Sequence, residues 1–238
     1  CKTFQKAKFC TLSMKFVHMN TKKYGPWLVG LMIIAPLIYG AIIYPQLPSR
    51  IPTHFNIEGK ADAWGGPSSI FIGPGIMGAV SIFVYILMSN LKTFDPKKYD
   101  EANDTLYSNF AVLTVAFLSA LSTIIIYSST HADEVNVGKL ILPLVGLSFA
   151  GLGWYMPKFK QNYFVGFKLP WTLENETNWN ETHKVAGKLW IYGGLFQAVV
   201  TFILPMKFGM IAFMLAIAVM VIIPSVFSYR LFKKGNII

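Results

Sequence analysis

The chain has 238 residues, 54% of them hydrophobic and only 13% charged, with a net charge of +10. Soluble domains carry about 25% charged residues, so this composition excludes an ordinary soluble protein and points to a polytopic membrane protein. The basic excess fits the loop charge of such a protein better than nucleic-acid binding, and the two cysteines, Cys1 and Cys10, supply neither a disulfide framework nor a metal cluster.

Residues 1–18 form a basic tail without an apolar block of signal-peptide length. Met19 opens a more conventional start, so the tail reads as upstream sequence or as a short cytoplasmic extension. Six apolar blocks follow, at about 27–44, 70–91, 108–128, 138–156, 187–205 and 209–229. Each is long enough to cross about 30 Å of hydrocarbon as a helix. Unpaired backbone cannot face lipid, so the chain is expected to be all-α with six transmembrane helices. Pro36, Pro74, Pro143 and Pro224 fall in or near these spans and should kink rather than end them. Gly73, Gly75, Gly78, Gly146, Gly151 and Gly153 offer close helix approach.

With the N-terminus inside, the inner segments hold 17 Lys and Arg residues and the outer segments 4. Without residues 1–18 the ratio is 13 to 4. The positive-inside bias therefore predicts N-in, C-in topology.

The first outer loop, 45–69, is long and ordered in character. Pro48 and Pro52 stiffen its start, Asn56 to Gly59 reads as a tight turn with Gly59 free to take positive φ, and Gly65, Gly66 and Pro67 end it. Phe55 and Trp64 argue against disorder. His54 and Asp62 could meet an external ligand or bond each other. The inner loop 92–105 mixes both signs of charge and reads as a solvated start to the third span. In the outer loop 130–138, His131, Asp133 and Glu134 could touch a metal but read more simply as solvated.

The inner segment 163–190 is polar yet carries three tryptophans. Gly166 and Pro170 predict an extended turn, since Pro170 forbids helix at Leu169. From Glu174 onward nothing breaks a helix before Gly187. Thr172 is a candidate N-cap, and Glu174 and Glu176 suit a helix N-terminus. Trp179, His183 and Gly187 share one face of that helix, and Glu176, Asn180 and Lys184 another. The expectation is an interfacial helix on the cytoplasmic side, bending into span five, with Trp171, Trp179 and Trp190 as membrane anchors. Lys168 could hold a lipid phosphate or simply add inner positive charge. His183 could face a partner or bond a loop carbonyl. Asn103, Asn175 and Asn180 open Asn-x-Thr triplets, but all lie in segments assigned to the cytoplasm.

No triad, P-loop, dinucleotide fingerprint or metal-ligand spacing is present, and the spans lack buried acids. No catalytic residue, metal or cofactor is expected, and the chain is read as not an enzyme. A transporter remains an alternative, with Gln197, Thr201, Asn109, Thr114 and Ser119 as the few candidates for a polar path.

Two stretches together resemble known modules. Leu47-Pro48…Ile51-Pro52-Thr53-His54-Phe55-Asn56…Gly59…Asp62…Trp64-Gly65 resembles the DUF1648 module of bacterial membrane proteins. Val165-Gly166-Phe167-Lys168-Leu169-Pro170-Trp171-Thr172-Leu173…Trp179…Thr182-His183-Lys184…Gly187 resembles the signature of the SdpI family, with Lys168 where that pattern usually has Arg. The resemblance divides the chain into a DUF1648-like part at 19–105 and an SdpI-like part at 106–238. It implies an integral membrane immunity protein of a Gram-positive cell, guarding against a secreted toxin peptide. It also implies signalling by drawing a cytoplasmic transcriptional repressor to the membrane. His54, Asn56, Gly59, Asp62, Trp64 and Gly65 would then form the external surface. Gly166, Lys168, Pro170, Trp171, Trp179, His183 and Gly187 would form the partner-facing motif, with membrane lipid as the remaining contact.

Overall fold

A computed structural model describes residues 21–94, 104–131 and 134–235. The basic tail 1–18, most of the charged inner loop with Asn103, and Asp133 lie outside the described residues. Helix α1 (Thr21–Ile43) leads through a 3-10 turn to strands β1 (Ile51–Phe55) and β2 (Ala61–Gly65). Then come α2 (Ile72–Ser89), the short α3 (Leu91–Phe94), α4 (Asp104–Thr130) and α5 (Gly138–Tyr155). The short α6 (Pro170–Glu174), α7 (Glu176–Ile203) and α8 (Met206–Gly235) complete the chain. Six helical segments are long and apolar enough to cross a membrane, at 24–46, 67–89, 104–130, 138–158, 176–203 and 206–235.

The six predicted spans are therefore present, and Pro36, Pro143 and Pro224 sit inside continuous helices. The 45–69 loop departs from the all-helical expectation in detail. It folds into an antiparallel hairpin that pairs Ile51 with Gly65 and Pro52 with Trp64. Proline-rich sequence hid the strands, because Pro52 can occupy an edge position without donating to the ladder.

The helices form two groups. Helix α4 packs against α1 and α2, α7 packs against α5 and α8, and α4 meets α5 where the groups join. The α5–α7 contact is the closest. A Cβ at Gly146 would stand 2.6 Å from the Gly194 carbonyl oxygen, and one at Gly194 2.5 Å from that of Gly146. Gly153 and Gly187 repeat the arrangement further along, at 2.8 and 2.9 Å from each other's carbonyl. Small residues let these backbones touch, and dispersion and weak C–H···O contacts replace side-chain packing. Gly75, by contrast, has nothing within 4 Å and plays no such part.

Several polar side chains within the spans bond to backbone, although Ser128 Oγ and Gln197 Oε1 find no partner among the described residues. Thr114 donates to the Phe110 carbonyl at 2.9 Å, Thr201 to that of Gln197 at 2.7 Å, and Ser119 crosses to the Met32 carbonyl of α1 at 2.6 Å. Gln197 donates to Leu142 of α5 at 3.4 Å, and Asn109 is also partnered. These bonds remove the cost of placing hydroxyls in hydrocarbon.

Candidate functional site

With six spans, the hairpin and the 156–175 segment lie at opposite ends of the bundle. The hairpin is built around Asn56. Its side-chain oxygen accepts the N–H groups of Glu58 at 2.9 Å and Lys60 at 3.0 Å, while the Gly59 N–H donates to the Asn56 carbonyl at 2.8 Å. Gly59 takes φ +76°, as its place in the turn requires. His54 Nδ1 and Asp62 Oδ1 lie 2.5 Å apart across the strands, both exposed. Trp64 is 45% exposed. At Gly65 a Cβ would stand 2.6 Å from Ser69 Oγ and 2.8 Å from Thr53 Cγ2. The hairpin is fixed at both ends. Ile51 is buried with Ile70 and Ile126 of α4. Asn136, ahead of α5, donates to the Glu58 carbonyl at 2.7 Å and so holds the tip. A cavity of about 490 Å³ lies beneath, bounded by β1, α2, α4, α5 and the start of α8, with Met206 and Met210 in its wall.

The opposite end is built around α7. Asn175 caps it, accepting the Asn178 N–H at 2.9 Å, and Glu176 lies in the first turn where the helix dipole favours an acid. Thr172 is not that cap. It is the third residue of α6, and its hydroxyl accepts the Leu169 N–H at 2.9 Å and donates to the Phe167 carbonyl at 2.6 Å. Helix α7 runs unbroken into span five rather than bending into it, because no proline or unpaired turn interrupts residues 176–203.

Trp179, His183 and Gly187 do share one face, and that face is turned wholly inward. Trp179 is fully buried and its ring N–H donates to the Phe159 carbonyl at 2.8 Å. It is therefore a brace, not the membrane anchor its type suggested. Trp171 donates to Ser228 Oγ of α8 at 2.7 Å, and Trp190 to the Met220 carbonyl at 3.0 Å. The polar groups of these two tryptophans also point into the protein.

His183 is fully buried against the Trp179 ring, with centroids 4.0 Å apart. Its Nδ1 lies 2.7 Å from the Trp179 carbonyl and must carry the proton. Its Nε2 accepts the Phe167 N–H at 2.9 Å. The ring that makes both bonds is neutral. Gly166 at φ +118° brings the loop against that ring, where a Cβ would collide with Nε2. Pro170 opens α6 at its first position, where a missing N–H costs nothing. Lys168 is exposed and, among the described residues, reaches the Phe164 carbonyl at 3.4 Å.

The sequence profile of the SdpI/YfhL protein family matches residues 158–228, and that of the domain of unknown function DUF1648 matches residues 31–78. The chain is 28% identical over 206 residues to "Immunity protein SdpI" of Bacillus subtilis (strain 168), covering 87% of this chain and 95% of that protein. The chain is thus similar to the SdpI/YfhL family over residues 158–228 and to that immunity protein over most of its length. No solved structure matches it.

Of the motif residues, Gly166, Trp179 and His183 come together and Gly187 packs on α5, while Trp171 docks on α8 and Lys168 and Pro170 stay at the surface. Residues that sequence reasoning passed over complete the assembly. Asn162 is buried and accepts the N–H groups of Phe164 and Val165, each at 2.8 Å. Asn178 donates to the Ser228 carbonyl at 3.0 Å and accepts the Ser228 hydroxyl at 2.6 Å, tying α7 to α8. Both asparagines are buried, Asn178 by a partner element distant in sequence, which local rules do not reveal. At the hairpin end, Asn136 and Lys139 were likewise missed. Among the described residues no group of three or more His, Cys, Asp or Glu could hold a metal ion.

Proposed function

We propose that this chain is an integral membrane immunity protein that protects its cell against a secreted toxic peptide, with the hairpin end facing out. The observation that carries the reading is the match to immunity protein SdpI across 95% of that protein's length, spanning both modules. The 17 to 4 bias of Lys and Arg supports the orientation. It places the exposed His54–Asp62 pair, Trp64 and the cavity beneath the hairpin where a peptide arrives. It places the α6–α7 assembly in the cytoplasm, as expected for the cell membrane of a Gram-positive bacterium.

A cytoplasmic transcriptional repressor would meet this inner end. The buried motif residues cannot touch it directly, so contact falls to exposed neighbours: Lys168, Glu176, Asn180 and Lys184. A peptide would alter that surface only by binding two arrangements of the bundle unequally.

The test is survival of a toxin-sensitive Gram-positive host carrying the full chain, under challenge by secreted killing peptides. Protection by the wild type, lowered by His54→Ala with Trp64→Ala at unchanged thermal stability, supports the reading. A well-expressed chain that protects against none of them overturns it. Recruitment is read separately, as the membrane-bound fraction of a tagged repressor with and without Asn180→Ala and Lys184→Ala.

A further inference from the structure

A second cavity, of about 520 Å³, lies between the two helix groups at the inner end. Its walls are Val84 and Met88 of α2, Phe110 and Thr114 of α4, Leu152 of α5, and Trp190 and Val221 on α7 and α8. Phe164, Val165, Gly166 and Phe167 close it. The lining is almost wholly apolar, and the Thr114 hydroxyl is turned to its own helix. Val221 lies eight residues inside the inner end of its apolar block at 209–229, so the cavity reaches roughly 12 Å into the hydrocarbon. One leaflet of hydrocarbon is about 15 Å deep. The pocket thus spans most of the depth of a single leaflet, where the surrounding medium is acyl chain.

The segment that closes the pocket also carries Lys168. Its ammonium is exposed and, among the described residues, bonds to the Phe164 carbonyl at 3.4 Å. A cation bonded to the backbone of the segment that closes an apolar slot matches the charge and shape of one ligand class.

We propose that this cavity holds an acyl chain of an anionic phospholipid, whose headgroup phosphate meets Lys168. The bound chain packs against Phe164 and Phe167, and so against the loop that His183 fixes. The inner surface of the protein then depends on the anionic lipid around it. The immunity reading is not required for this site.

Trp190 in the wall reports occupancy. The full chain is placed in phosphatidylcholine vesicles containing rising fractions of phosphatidylglycerol, or of further phosphatidylcholine, brominated on the acyl chains. Fluorescence quenching at Trp190 is taken as the difference between wild type and Trp190→Phe. Trp27, 81% exposed on α1, reports the surrounding bilayer. One lysine should give roughly fivefold stronger half-quenching by phosphatidylglycerol. Lys168→Gln should abolish that preference, and Thr114→Phe, which fills the slot, should weaken quenching by both lipids. Equal half-quenching by the two lipids in the wild type overturns the proposal, as does a preference that survives Lys168→Gln. If Thr114→Phe fails to fold, the Lys168→Gln comparison decides, since that side chain is exposed.

Discussion

His183 accepts the backbone N–H of Phe167 across a loop whose preceding residue, Gly166, has no room for a methyl group. The bond joins residues 16 apart in sequence and fixes the loop on α7. Trp179 stacks on the same ring, and its own N–H reaches back to Phe159. The loop, the 3-10 turn at Met156–Lys158 that precedes Phe159, and α7 are therefore held by one pair of side chains.

Gly166→Ala tests this geometry. Alanine is strained at φ +118° and would push His183 from the Phe167 N–H. The two effects together cost at least about 2 kcal/mol. In a chain of this size that lowers Tm by roughly 4–8 °C. Gly75→Ala, with open space around it, should leave Tm unchanged in the same assay. Equal melting of the two variants would remove Gly166 from the assembly.

Asn136 makes a different kind of link. It holds the Glu58 carbonyl at the hairpin tip, 78 residues away. Asn136→Ala should cost only about 1 kcal/mol globally. Its local effect should be larger: amide exchange and protease cleavage at 56–60 should rise while the spans stay protected. An unchanged exchange rate at the tip would show that Ile51 alone anchors the hairpin.

Hydropathy made the six spans legible, because each apolar block matches the hydrocarbon thickness. The tight turn at Gly59, the break at Pro170 and the common face of Trp179, His183 and Gly187 followed from local rules. What stayed hidden depends on partners distant in sequence. Trp179 reads as an interfacial tryptophan until the Phe159 carbonyl is found beside it. Asn178 lies on a helix of otherwise ordinary polarity until Ser228 of α8 faces it. Nor does hydropathy tell which spans touch: α4 follows the charged loop but packs on α1 and α2. Trp179 and Trp190 were read as membrane anchors, yet their ring N–H groups bond inside the protein.

The α5–α7 contact predicts a sharp size limit. At Gly194 a Cβ meets the Gly146 oxygen and the Ala150 nitrogen at 2.5 and 2.6 Å, both backbone atoms that cannot rotate away. Gly194→Ala must therefore separate the helices, at a cost of about 1–3 kcal/mol. Gly209→Ala on α8, whose nearest neighbour would be 3.5 Å away, should be tolerated. Thermal unfolding of the two variants in the same lipid checks the contrast. Matching Tm values would mean that the close approach is dispensable.

Lys139 is the last case. Counted by position, it belongs to the outer loop charge, but its ammonium points along the end of α7. It donates to the carbonyls of Thr201 at 3.3 Å and Phe202 at 2.9 Å, and to that of Leu204. The final carbonyls of a helix have no intrahelical partner and carry the negative end of its dipole. One cation from α5 satisfies three of them and fastens the α7–α8 turn to the neighbouring helix. Lys139→Met keeps the apolar stem and removes only the charge and donors, so it should lower stability by about 1–2 kcal/mol. Lys139→Arg should retain much of the effect, since a guanidinium also donates to several carbonyls. Exchange of the amides at 202–206 should rise in Lys139→Met alone. Equal Tm and equal exchange in Lys139→Met and the wild type would show that the turn is held without this cation.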